Sequence, residues 1–364
     1  VVPDAADRLA RRYHRLATQE LHGYCDVYER IALAIVDDPE VLGLFASLVD
    51  RVNERSLGVL GFAAVHDLVL ADPDEPLAAV YASGEGDPWP AFRDLVTRRF
   101  DDIAHTMTTR TVQTNEVGRT AVLVPALSEA AHRVDHRPLA LIEIGPSAGL
   151  NLLLDRYRIA YDDGRRYGPE DATVALDCRL LGDHRPPLVD DLHLADRRGV
   201  DLAPLDANDP DDARWLRACL WPGITERAER LAAAVTVAQA HPPLLVRGDA
   251  VAVLGSLIDS VADDVVPVVM ATWALAYLHP EGRAAIGDSL ATAGAHRDVI
   301  AITAEYPAMT PWVPVPDDGP PVQADQGATL LGFGHWSPAG NTAGPLGWTH
   351  AHGRWLQWLG VTTT

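Results

Sequence analysis

The sequence predicts an α/β protein in two parts: an all-helical N-terminal region over residues 1–135, and a mostly parallel sheet covered by helices, with an antiparallel last strand, over residues 136–364. Three observations predict it. Before residue 135 the apolar residues recur at helical spacing, and no stretch reads as a strand. From residue 139 short apolar runs (LALIEI, LLVRGD, VVPVVMATW, DVIAITAEY) alternate with helical stretches, the pattern of a parallel sheet between helices. The tail ATLLGFGHWSPAGNTAGPLGWTHAHGRWLQWL reads as two antiparallel strands around a Gly-rich turn.

Taken in order, VLGLFASLV, SLGVLGFAAVHDLVLA and PAFRDLVTRRFDDIAHTM carry the helical spacing of the first region. Asp37, Asp38 and Pro39 supply one helix start, and Pro88 and Pro90 flank another. LALIEI is the first strand, and GLNLLLDRYRI reads as the helix that follows it. Residues 158–198 interrupt the alternation with an Asp-Gly turn in RIAYDDGRRYG and further strand and loop in TVALDCRLLGDHRPPLVDD, and are expected to be an insertion.

Composition narrows the partners. A chain of 364 residues is long for one domain. Its 30 basic and 51 acidic residues give a net charge of −21, whose field repels phosphate backbones and anionic membranes. A small-molecule substrate is expected, with no nucleic acid and no membrane; nothing sets the oligomeric state. No apolar run reaches membrane-spanning length, and VVPDAADRLA lacks the features of a signal peptide. Cys25, Cys178 and Cys219 show no paired spacing, which suits a reducing cytoplasm and argues against a disulfide framework or a zinc site. His132 and His136 flank Asp135 but lack the H-E-x-x-H pattern, and His350 and His352 read as surface groups, so no metal is expected.

The stretch EIGPSAGLN, residues 143–151, admits two chemistries. As Gly145-x-Ser147-x-Gly149 it is the turn that presents the serine nucleophile of an α/β-hydrolase. That turn belongs deep in a sheet, after several strands and an oxyanion-donating loop, whereas only helices precede LALIEI. As Glu143-x-Gly145-x-x-x-Gly149 it is a ligand-cradling loop after a first strand, where glycines let the backbone approach a ligand. The G-x-G-x-x-G spacing of dinucleotide enzymes is absent, because Ser147 and Leu150 occupy its later positions.

An acid two residues before the first glycine and another glycine four residues after it resembles the first motif of class I S-adenosylmethionine (SAM) methyltransferases, with Ser147 in place of their middle glycine. QTNEVGR, EIGPSAGLNLLLDRYRIAY, PLDANDPDDARWLRACLWP and ATWALAYLHPEG together resemble an actinobacterial family catalogued as a domain of unknown function. The resemblance implies a Rossmann-like methyltransferase core and SAM as cofactor. It implies that Glu143 steadies the methionine amino group or the loop backbone, with Gly145, Ser147, Gly149 and Asn151 on the same loop. GVDLAPLD becomes the second strand, with Asp201 on the ribose hydroxyls and Asp206 as a rival. LLVRGDAVAVL becomes the third, with Asp249 on the adenine amino group or merely capping a helix, and Ala250 beside it. Trp273 lies after the fourth strand, at the floor of the transfer site.

The acceptor side offers fewer signals. In QTNEVGR, Asn115 reads as an N-cap or a substrate contact, and Glu116 and Arg119 on the first turn read either as a solvated ion pair or as a catalytic group and a substrate contact, respectively. Arg119 suits a carboxylate, through paired hydrogen bonds. Tyr24 and Tyr28, four apart, share a helix face and either pack in a core or cover a pocket, Tyr28 as a catalytic group and Tyr24 as a substrate contact. Tyr277 is expected as a substrate contact, and His279, just before Pro280, reads either as a transfer base or as the end of the segment. The expected function is SAM-dependent transfer, methylation foremost, to a small metabolite. A catalytically degenerate binding protein, SAM-consuming cyclisation and a serine hydrolase using Ser147 are the alternatives.

Overall fold

The computed structural model describes residues 5–52, 56–321 and 327–360. The chain begins with helices α1 (Ala5–Arg15), α2 (Asp26–Asp37), α3 (Pro39–Ala46), α4 (Leu57–Ala71), α5 (Pro76–Ser83), α6 (Trp89–Arg98) and α7 (Phe100–Thr109). Helix α8 (Thr120–Arg133) leads into β1 (Leu139–Ile144), followed by β2 (Arg158–Tyr161), β3 (Arg166–Tyr167), β4 (Ala175–Leu181) and β5 (Leu194–Asp201). Next come α9 (Pro210–Ala218), α10 (Thr225–Ala240), β6 (Leu244–Arg247), α11 (Ala250–Asp259), β7 (Val266–Thr272), α12 (Pro280–Gly294) and β8 (Val299–Glu305). Strands β9 (Ala328–Ser337), β10 (Gly340–His350) and β11 (Trp355–Trp358) close the fold.

Local chemistry accounts for several boundaries. Asp38 caps α3 by accepting the amides of Glu40 and Val41, with Pro39 at the first helical position. Asp209 caps α9 in the same way, through the amides of Asp211 and Asp212.

Two compact units result, one of residues 1–114 with 208–231, the other of 115–207 with 232–364. The first is helical throughout its described residues. The division departs from the expected boundary at 135 for two reasons. Helix α8 is apolar on all sides and buried from Thr120 to Ala131 except at Glu129, so it belongs with the sheet it packs on. Residues 208–231 return to the helical unit, where Arg214 pairs with Asp67, Asp212 with Arg110, and the Trp215 indole donates to the Thr111 carbonyl.

The second unit is a mixed α/β domain on an eleven-stranded sheet of order β3-β2-β4-β11-β10-β9-β8-β7-β1-β5-β6. Strands β6, β5, β1, β7 and β8 form a parallel block. Strands β1, β7 and β8 are buried on both faces, as their unbroken apolar runs require. The antiparallel part is larger than one last strand. β9 and β10 form a hairpin beside β8, and β11, beyond the two strands expected in the tail, pairs antiparallel with β10 and parallel with β4.

In the 158–198 stretch, expected as an insertion, β2, β3 and β4 extend the far end of the sheet and residues 194–198 begin β5. One further expectation is corrected. GLNLLLDRYRI is not an α-helix: Leu150–Arg156 is a 3₁₀ helix with a non-helical break at Leu153, and β2 follows directly. The Tyr157 hydroxyl donates to the Leu150 carbonyl at 2.7 Å, taking the acceptor that a continuing α-helix would have used.

Candidate ligand-binding site

Strand β1 lies between β5 and β7, and the chain winds from it in opposite directions on its two sides. In open α/β sheets such a reversal leaves a crevice beyond the carboxyl ends of the strands, and ligands bind there. The loops after β1, β5, β7 and β8 meet at this end. The Gly145 amide donates to the Val200 carbonyl, the Gly248 amide to Asp201 and the Trp273 amide to Ala304.

The loop after β1 takes a left-handed backbone at three positions, with φ of 67° at Gly145, 57° at Ser147 and 74° at Gly149. A Cβ at Gly145 would lie 2.9 Å from that of Ala274, and one at Gly149 would lie 2.5 Å from the Pro243 ring, so both glycines are sterically required. Asp201 holds the loop in place. One carboxylate oxygen accepts the Ser147 amide at 3.0 Å and the other the Ala203 amide at 2.8 Å, tying the β1 and β5 loops together. Each oxygen keeps a second lone pair for a ligand hydroxyl.

Beneath the loop, Glu143 is 1% exposed. Its Oε1 accepts from Asn151 Nδ2 at 3.2 Å, while its Oε2 and the Asn151 Oδ1 have no hydrogen-bond partner. Burial pushes the Glu143 carboxyl up to about 7, against the opposing pull of Asn151 and the Arg119 charge. Asn115 does not cap a helix. Its Oδ1 accepts the Leu150 amide at 3.1 Å, and Glu116 is the cap instead, accepting the Gly118 amide at 3.0 Å. The solvated pair expected of Glu116 and Arg119 is replaced by two buried side chains. Glu116, expected as a catalytic group, is 3% exposed and forms this cap. Arg119 reaches inward, donating to the Ala351 carbonyl at 3.0 Å and the Thr272 carbonyl at 3.1 Å, with its guanidinium 5.8 Å from the Trp273 ring centroid.

On the other side of the crevice stands a residue that the sequence reading missed, Glu305 at the end of β8. It is 1% exposed, and its Oε1 accepts the amides of Ala274 at 2.8 Å and Leu275 at 2.9 Å. Its Oε2 has no partner, and burial raises its carboxyl while the two amides and Arg119 oppose the rise. This clamp fixes the loop after β7, where Trp273 sits at a φ of 58° and packs 4.2 Å from the Tyr306 ring. DVIAITAEY signalled a strand, but nothing in its spacing pointed Glu305 toward another strand's loop.

The remaining candidates are scattered. Ser147 is 4% exposed, and its hydroxyl has no hydrogen-bond partner, so no base attends it as a nucleophile requires. Asp249 caps α11 by accepting the Val251 amide at 2.9 Å and remains exposed, while Ala250 is buried. Asp206, the rival to Asp201, lies exposed on the loop after β5. Tyr277 and His279 are exposed on the segment between β7 and α12. Tyr24 and Tyr28 belong to the helical unit. Tyr24 precedes α2, accepts from Arg227 at 3.1 Å and packs edge-on against Trp221. Tyr28 is buried and stacked on Phe62 with centroids 4.4 Å apart, and burial pushes its hydroxyl well above the ordinary phenol range. Among the described residues no group of three His, Cys, Asp or Glu side chains is placed to hold a metal, and no helix is long and apolar enough to cross a membrane.

The fold and its crevice define a mixed α/β protein with a helical unit and a candidate ligand site at the carboxyl end of its sheet. Over residues 10–358 the chain matches the family described as "Uncharacterized protein conserved in bacteria (DUF2332)". It belongs to that family. No curated protein matches the chain.

Proposed function

We propose that the crevice between the β1 and β7 loops binds SAM and that the protein transfers its methyl group to a small metabolite. One observation carries the reading: a buried carboxylate, Glu143, keeps an oxygen without a partner under a left-handed loop at the topological switch point. Unpartnered buried acceptors suit a ligand that brings N–H donors and positive charge, and SAM carries an ammonium and a sulfonium. Arg119, buried beside Trp273, adds positive charge near the loop after β7.

The strand order supports the same reading. Numbered along the chain within the parallel block, it is third-second-first-fourth-fifth, an order like that of one half of a Rossmann sheet, with an antiparallel strand next. The short 3₁₀ helix after the loop argues against a dinucleotide. A phosphate draws on the aligned amides of a full α-helix start, which this loop lacks. SAM has no phosphate to be held.

When bound, SAM supplies an electrophilic methyl carbon on a cationic sulfur. The chain's part is to orient and to exclude water: Asp201 to face the ribose diol, Glu143 and Asn151 the ammonium, and the Trp273 loop to wall the transfer site. Calorimetric titration with SAM and its demethylated product tests the proposal. A dissociation constant in the micromolar range, roughly 8 kcal/mol at standard state, is expected. No heat and no thermal shift at millimolar SAM, in a folded sample, would overturn it. Binding with no methylated or cyclised product across a metabolite panel would point to the degenerate binding protein instead.

A further inference from the structure

We propose that Glu305, with the aromatic rings of Trp273, Tyr277 and Tyr306 about it, forms a subsite for a protonated amine, the cationic end of the molecule on which this protein acts. The inference rests on the proposed function for the reaction alone; recognition of the amine stands on the geometry below.

The clamp on the β7 loop needs only one oxygen of Glu305. Its Oε1 accepts both amides, and the Ala276 amide also favours the ionised carboxyl. Its second oxygen is buried without a hydrogen-bond partner. Buried polar groups in native proteins are paired, so an orphan acceptor of this kind marks a missing donor.

Charge sharpens the choice of donor. Arg119 is a cation that acts on both Glu305 and Glu143, while burial favours the protonated form of each. A ligand that adds positive charge on the Glu305 side would favour its ionised form. A metal ion is a poorer fit, because no cluster of three acidic, His or Cys side chains forms among the described residues. An ammonium needs fewer ligands, and aromatic faces suit it.

Those faces are present. Tyr306 packs on Trp273 and is 45% exposed, and Tyr277, in the turn that the Glu305 clamp holds, is 78% exposed. Large rings left in water at the mouth of a crevice, next to a buried acid, give a cation both cation–π contact and a carboxylate. The Trp273 indole N–H is buried without an acceptor, which favours a ligand with an oxygen near its amine.

The test uses the full chain with n-butylammonium and n-butanol as matched probes, followed by ligand-observed NMR titration. Wild type should bind n-butylammonium with a millimolar constant and n-butanol at least tenfold more weakly. Glu305→Gln keeps the amide clamp but replaces the free acceptor with a donor. It should leave the melting temperature near wild type and weaken n-butylammonium at least tenfold, with n-butanol unchanged. Tyr306→Leu provides a second readout should Glu305→Gln fold poorly, with a several-fold loss for the amine and none for the alcohol. Equal binding of amine and alcohol, or an amine affinity unaffected by a folded Glu305→Gln or, failing that, by Tyr306→Leu, would overturn the subsite. SAM titrated into the same samples separates the two proposals: amine recognition without SAM binding sinks the methyl-transfer reading alone, and SAM binding without amine discrimination sinks the subsite alone.

Discussion

Acidic residues sit at or just past the ends of neighbouring strands in one sheet, yet they behave differently at its two sides. Past β6, Asp249 is exposed and its visible bond caps the next helix, so the local chain explains it. At β1 and β8, Glu143 and Glu305 are buried, each with one oxygen engaged by the protein and one without a partner. Asp201, at the end of β5, stands between these cases, half-buried and tying two loops while lone pairs remain. A capping carboxylate stabilises its helix, whereas a buried one with an open oxygen opposes folding. The acids that carry that cost lie on the side of the sheet where the proposed ligand would bind.

The largest effect should come from pH. Unfolded, the Glu143 carboxyl ionises near 4.5; folded, it holds its proton to about 7. Between those values the folded chain binds more protons, so rising pH favours unfolding, and the loss is complete above 7. Wild-type stability should fall by about 3 kcal/mol more than that of Glu143→Gln from pH 4.5 to above 7, measured by urea denaturation at each pH. Parallel pH profiles in the two proteins would erase the contrast with Asp249.

Asp201→Ala comes next. It removes the acceptor of two backbone amides and of the proposed ribose diol, so SAM affinity should drop about a hundredfold, roughly 2–3 kcal/mol. Unchanged affinity in calorimetry would move the ribose assignment to Asp206. Asp249→Ser is milder. Serine caps a helix about as well as aspartate, so stability should hold within about 0.5 kcal/mol, and any loss of SAM affinity, about fivefold for one adenine hydrogen bond, then reports contact with the ligand rather than the helix. Ser147→Ala should be comparably mild. Its hydroxyl has no partner, so SAM affinity should change by no more than one hydrogen bond, about 0.5–1.5 kcal/mol. Ester hydrolysis by wild type that vanishes in this variant would restore the serine-nucleophile reading.

What the sequence made legible follows from how local each signal is. LALIEI, VVPVVMATW and DVIAITAEY announced β1, β7 and β8 because buried parallel strands are short, unbroken apolar runs. Glu143, Gly145 and Gly149 were legible because one strand and its turn carry them. LNLLLDR looked helical by apolar spacing, yet a tertiary bond from Tyr157 and the demand for β2 overrode the pattern. Arg119 was noticed, but its burial was not, since its acceptors at Thr272 and Ala351 are remote in sequence. Glu305 was invisible because its partners lie 30 and 31 residues earlier, on another strand's loop. The return of residues 208–231 to the helical unit rests on ion pairs that no local pattern marks.

The most direct measurement is hydrogen exchange across the whole chain with and without saturating SAM. Binding at the proposed crevice should slow exchange at residues 143–151, 199–206 and 273–278, because the ligand would brace three loops held now by a few cross-loop bonds. Protection confined to other segments, with SAM demonstrably bound, would contradict the assignment of the site.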